Sequence, residues 1–130
     1  PSPTPDGRGV LCYDDARSVL CEGQESDGQD LIYFDVETGE RRTIQRRAEG
    51  THPSFSPDGR MIVTDMLSGG VFLVDPATGD MRRLVAFDVP AFDAPEKKCH
   101  PHPAWSRDGR RVYFNCVESG VGQVFAVDVT

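Results

Sequence analysis

Apolar residues alternate with polar ones over short runs along most of the chain, the period of strands with one covered face rather than of helices. First runs stand at 18–21, 61–64 and 111–115, and after a loop each is followed by a second run ending in aspartate, at 31–35, 71–75 and 123–128. Two of the second runs continue as Asp35-Val36-Glu37-Thr38-Gly39 and Asp75-Pro76-Ala77-Thr78-Gly79, then enter further strands at 41–44 and 81–85. Phe55-Ser56-Pro57-Asp58-Gly59-Arg60 precedes one first run and recurs fifty residues later as Trp105-Ser106-Arg107-Asp108-Gly109-Arg110. Cys12-Tyr13-Asp14-Asp15-Ala16-Arg17 is a weaker copy. In Ser-Pro-Asp-Gly the proline presets φ for a type I turn, and the glycine takes the left-handed position that closes a hairpin. Asp-x-x-Thr-Gly does the same at the next hairpin. Turns are predicted at 14–17, 37–39, 57–59, 77–79 and 107–109.

Four short antiparallel strands per unit, A to D, in units of roughly this length are the signature of a β-propeller blade. The expected fold is therefore all-β: one propeller segment over 1–130, with blades at about 9–47, 48–86 and 98–130. The third blade stops on strand C, without its outer strand. Three blades are fewer than the four to eight that close a ring, so a homo-oligomer or a complementary propeller chain is the expected partner.

Bulk properties narrow the function. At 130 residues, with 38% hydrophobic and 27% charged residues, the chain suits one globular domain with a modest core. A net charge of −7 argues against nucleic acid, whose phosphates demand a basic face. No apolar run reaches the length of a membrane span and no leader pattern opens the chain. Cys12 and Cys21 flank one predicted turn and pair as a cross-strand disulfide or stand as two buried thiols; Cys99 and Cys116 share no register.

The chemistry gathers ahead of strand A. His52 and His102 hold the same repeat position in neighbouring blades, each followed by proline, and His100 lies two residues before His102. Strand A is innermost in a propeller, so the three imidazoles are expected to converge at the channel mouth. Alternate residues of an extended His-x-His point the same way, as a metal requires. The competing expectation is that His-Pro merely leads the repeat into strand A by capping backbone groups. The connection 86–99 is much longer than 46–51, and its Lys97 and Lys98 with two phenylalanines suit an acidic ligand. Arg46 and Arg47, assigned to the short connection ahead of His52, are candidate carboxylate binders. The acidic stretch 22–30 lacks the ligand spacing of a calcium hand and reads as a polar loop.

The His-Pro-x-Phe/Trp-Ser-x-Asp-Gly-Arg units resemble the TolB-like, WD-type propeller repeat, which specifies fold and leaves function open. Cys99-His100-Pro101-His102-Pro103, followed by Trp105-Ser106-Arg107-Asp108-Gly109, is similar to the C-terminal part of oligogalacturonate lyases. That resemblance implies a seven-bladed propeller holding manganese through histidines and a glutamine. His100 and His102 match the close ligand pair, His52 is the implied third ligand, and Lys97 stands where the glutamine is expected. The implied reaction is β-elimination of a uronate, with the catalytic base on blades outside this chain. The resemblance also implies a periplasmic or extracellular setting and an acidic oligosaccharide as ligand. Three readings follow: a non-catalytic binding or assembly module completed by other copies or another chain, the C-terminal part of a metal-dependent pectic lyase, and the accessory propeller of a prolyl-oligopeptidase-type peptidase.

Overall fold

The computed structural model describes residues 1–14, 29–66, 69–87, 100–118 and 120–129. Eleven strands and no helix occur among them. They form three antiparallel sheets in chain order, each a meander. The first holds β1 (Ser2–Pro3), β2 (Gly9–Asp14), β3 (Gln29–Asp35) and β4 (Arg41–Ala48); the second holds β5 (Ser54–Phe55), β6 (Ile62–Met66), β7 (Gly70–Val74) and β8 (Met81–Ala86). The third contains β9 (Ala104–Trp105), β10 (Arg111–Glu118) and β11 (Val121–Asp128), with no outer strand among the described residues. These are successive β-propeller blades.

The turn between the first two strands of each blade is built identically, and this corrects the placement of blade one. In blade two the Ser56 hydroxyl donates to Asp58 Oδ1 at 2.6 Å, Arg60 N–H donates to the same oxygen, and Met61 N–H donates to Ser56 Oγ. Blade three repeats this with Ser106, Asp108, Arg110 and Arg111. In blade one the same bonds are made by Thr4, Asp6, Arg8 and Gly9. The first copy is thus Thr4-Pro5-Asp6-Gly7-Arg8, not 12–17, and the first sheet begins at Ser2 rather than near residue 9. Cys12, Tyr13 and Asp14 belong to β2, pairing with Ile32, Leu31 and Asp30. Residues 15–17, the rest of the turn expected there, lie outside the described residues, as do the run at 18–21, Cys21 and most of the acidic stretch.

Alternation sets which face of each strand meets which neighbour. Ile62 and Val74 turn from the middle sheet toward the first, where they join Leu11, Leu31, Ile44 and Ala48. Val63, Val71 and Leu73 turn the other way, onto Val112 and Phe114 of the third sheet. The middle sheet is covered on both faces, so β6 and β7 are buried at every residue. Each fully buried aliphatic side chain here stabilises by about 1.5–3 kcal/mol relative to exposure. The far face of sheet three has no such neighbour among the described residues: Tyr113 is 41% exposed and Val124 is 70% exposed.

Strand β4 runs further than its apolar pattern predicts. Gln29 pairs with Ala48 and Leu31 with Gln45, so Arg46 and Arg47 together oppose the single residue Asp30 in a bulge. Arg47 takes a left-handed backbone (φ 53°), and its N–H donates to the Asp30 carboxylate.

Candidate metal centre

Thr51-His52-Pro53 leads into β5 and His100-Pro101-His102-Pro103 leads into β9. Both segments reach the end of strand A opposite the Asp-Gly turn. The prolines lock φ and bias the residues before Pro53 and Pro101 toward extended backbone, whereas His102, before Pro103, departs from that bias with a left-handed φ of 42°. The ends of the second strands then tie the lead-ins down. Asn115 N–H donates to Pro101 O at 2.8 Å, and its side-chain amide donates to His100 O. In the middle blade the repeat-equivalent residue is Asp65, only 1% exposed. Its Oδ1 accepts from the Thr51 hydroxyl at 2.7 Å and from His52 N–H at 2.9 Å. Its Oδ2 accepts from His52 Nδ1 at 2.8 Å and from His102 N–H at 3.3 Å.

These ties bring the three histidines together. The His52 and His102 rings lie 3.7 Å apart between centroids, and His100 is 5.7 Å from each. One nitrogen from each imidazole falls within 4.8 Å of the others. His52 is half-buried, whereas His100 and His102 are exposed. Partial desolvation of the otherwise exposed ring, followed by the neighbouring His52, lowers the His102 pKa from its ordinary value despite the opposing pull of Asp65. His102 therefore stays neutral near pH 7, with a lone pair to offer. Three imidazole nitrogens converging within 4.8 Å, one ring oriented by a carboxylate, form a donor set that fits a divalent transition metal. His102 holds a left-handed backbone (φ 42°), a conformation that is strained for a residue with a Cβ. An open cleft of about 470 Å³, lined by Ser2, His52, Pro53, His102, Pro103 and Trp105, borders the cluster.

The other candidates stand elsewhere. Arg46 and Arg47 lie on the bulge of β4, the strand of sheet one furthest from β1, and not in the connection ahead of His52. That is a correction, and its cause is the bulge that lets β4 continue to Ala48. Lys97 and Lys98 lie outside the described residues, with most of the long connection. Phe87, at its start, packs on Phe114 in the core between sheets two and three. Asp65 escaped the sequence analysis, although the repeat carried a signal: counting seven residues on from Asp58 and Asp108 reaches Asp65 and Asn115.

An incomplete propeller with a histidine cluster on the lead-ins to its inner strands is the class these features define. Solved structures agree on the fold. An oligogalacturonate lyase in complex with manganese superposes with a TM-score of 0.76 over 98% of this chain, at 18% identity. The oligogalacturonate lyase of Vibrio parahaemolyticus gives 0.62 over 95% at 12% identity. The β-propeller domain of the trilobed protease from Pyrococcus furiosus, described as having an open velcro topology, gives 0.56 over 88% at 17% identity. The chain spans 34% and 36% of the two lyases and 32% of the protease domain. In sequence, 59 residues are 39% identical to dipeptidyl-peptidase 5 of Porphyromonas endodontalis, covering 44% of this chain and 8% of that protein. No family model matches the chain. Among the described residues no helix is long and apolar enough to cross a membrane.

Proposed function

We propose that this chain contributes a divalent-metal centre, formed by His52, His100 and His102, to a propeller that cleaves acidic oligosaccharides by β-elimination. The convergence of three imidazole nitrogens within 4.8 Å carries the reading. The manganese complex of the structurally similar lyase supports the choice of ion and of uronate substrate. The chemistry such an ion supplies is neutralisation of the uronate carboxylate, which acidifies the adjacent C–H. The chain's own part is to hold two neighbouring blades so that their lead-ins present nitrogen donors beside an open cleft. The base that removes the proton is assigned to blades other than these three, and a periplasmic or extracellular setting goes with the substrate. Calorimetric titration with manganese tests the site: heat from the wild type and its loss in His100→Ala and His102→Ala is the expected result. Equal heats, or none, would remove the metal claim. Release of unsaturated uronate product, followed by its ultraviolet absorbance, tests the reaction class.

A second reading rests on a separate observation. The exposed Tyr113 and Val124 and the outer edge of β11, unpaired among the described residues, suit a module completed by further copies or by another propeller chain. Assembly and catalysis are compatible if completing the ring also supplies the missing base.

A further inference from the structure

We infer that Asp65 is the positioning residue of the histidine cluster: its carboxylate fixes the tautomer of His52 and ties the His102 backbone to the neighbouring blade. The inference rests on the metal-centre reading for its consequence and on the geometry alone for its first half.

A carboxylate buried to 1% exposure is costly unless donors surround it. Asp65 meets that demand without a lysine or arginine among the partners described above. Its oxygens accept from the Thr51 hydroxyl, two backbone N–H groups and the His52 ring. Thr51 N–H also donates to the Asp65 carbonyl at 3.1 Å, so the side chain and backbone of one residue hold the whole lead-in. Two N–H bonds and a hydroxyl would suffice for a cap. The contact with the imidazole edge goes beyond capping. An ionised carboxylate only accepts, so Nδ1 of His52 must carry the proton and Nε2 is left with its lone pair. Nε2 is then the nitrogen that His52 offers to the cluster. Asp65 belongs to the middle blade and His102 to the third, so the same carboxylate also sets the spacing of two ligands on separate sheets.

Asp65→Asn separates orientation from bulk. The amide keeps the shape but can present an N–H to Nδ1, which moves the ring proton to Nε2 and closes that lone pair to a metal. The measurement is long-range ¹⁵N–¹H NMR of the metal-free full chain at about pH 8, above the ordinary histidine range, with manganese calorimetry on the same samples. His52 is expected as the Nδ1–H tautomer in the wild type and as Nε2–H in Asp65→Asn. Manganese affinity is expected to fall by about 10–100-fold, the usual loss when a ligand's outer partner is removed. Thr51→Val removes a hydroxyl that donates to Asp65 and also lies 3.0 Å from His52 Nδ1; it should still keep the wild-type tautomer, because the Asp65 carboxylate stays on the ring edge. A wild-type His52 protonated on Nε2 would overturn the inference even if Asp65→Asn failed to fold. So would an unchanged tautomer, or wild-type affinity, in folded Asp65→Asn. The expected tautomers with no manganese binding by the wild type would instead uphold the orienting role and defeat the metal-centre reading.

Discussion

Replacing His102 separates what its backbone costs from what its ring contributes. At φ 42° the residue occupies the left-handed region, which costs about 1–2 kcal/mol for a residue with a Cβ. His102→Ala keeps that strain and deletes the ring; His102→Gly deletes both. Since the ring is lost in each, its contacts with His52 and His100 cancel in the comparison. Glycine returns about 0.4–1 kcal/mol through the greater freedom of its unfolded chain. The glycine variant should therefore be the more stable by about 0.5–1 kcal/mol, or about 2–5 °C in melting temperature for a chain of this size. Melts of chelator-treated protein at one concentration measure it, because assembly would otherwise shift the apparent value. Neither variant should bind manganese like the wild type. A glycine variant melting at or below the alanine variant would refute the strain at His102, and with it the view that the site is held against a backbone preference.

Three further outcomes follow from the fold. Gly50→Ala places a methyl group on the Tyr13 hydroxyl and Thr64 Oγ1, which bond each other at 2.9 Å; overpacking there should cost about 1–3 kcal/mol in a denaturant titration. Burial pushes the Tyr13 phenol up to about 12, so the effect should not vary with pH between 6 and 9, a range well below that value. Asp6, Asp58 and Asp108 have pKa values lowered chiefly by their Thr or Ser hydroxyl partners. Their contribution is present above the unfolded carboxylate pKa of about 3.9 and is lost as pH falls through the folded values; acid titration of Asp58→Asn with Asp108→Asn should show a weaker pH dependence than the wild type. Light scattering on the purified chain should show a dimer or larger species, and a sharply melting monomer near 14.3 kDa would contradict the open-flank reading.

The strand order and two families of turn were legible because turn chemistry leaves few substitutes. Asp58, Asp108, Asp35 and Asp75 each hold backbone N–H groups that no apolar residue could satisfy. Thr4-Pro5-Asp6-Gly7-Arg8 carries the same groups and was equally legible, but Pro3 stands where the other copies have an aromatic residue. The convergence of the histidines could be expected from their common place before strand A. Asp65 could not be expected from composition, since Ile62-Val63-Thr64-Asp65-Met66 offers no sign that its one charge is buried. Only the lead-in folding back onto the strand end gives that carboxylate its donors. Arg46 and Arg47 misled because a bulge adds length to a strand without adding an apolar residue.

The histidine cluster is assembled across a seam. His52 rides on one sheet and His100 with His102 on the next, and the contacts joining those sheets include the Trp105 indole bonded to Ser54 O at 3.1 Å. A rotation of one blade against its neighbour must therefore spread or narrow the three nitrogens. The spacing of the three donors is thus a property of the angle between two blades as much as of either lead-in.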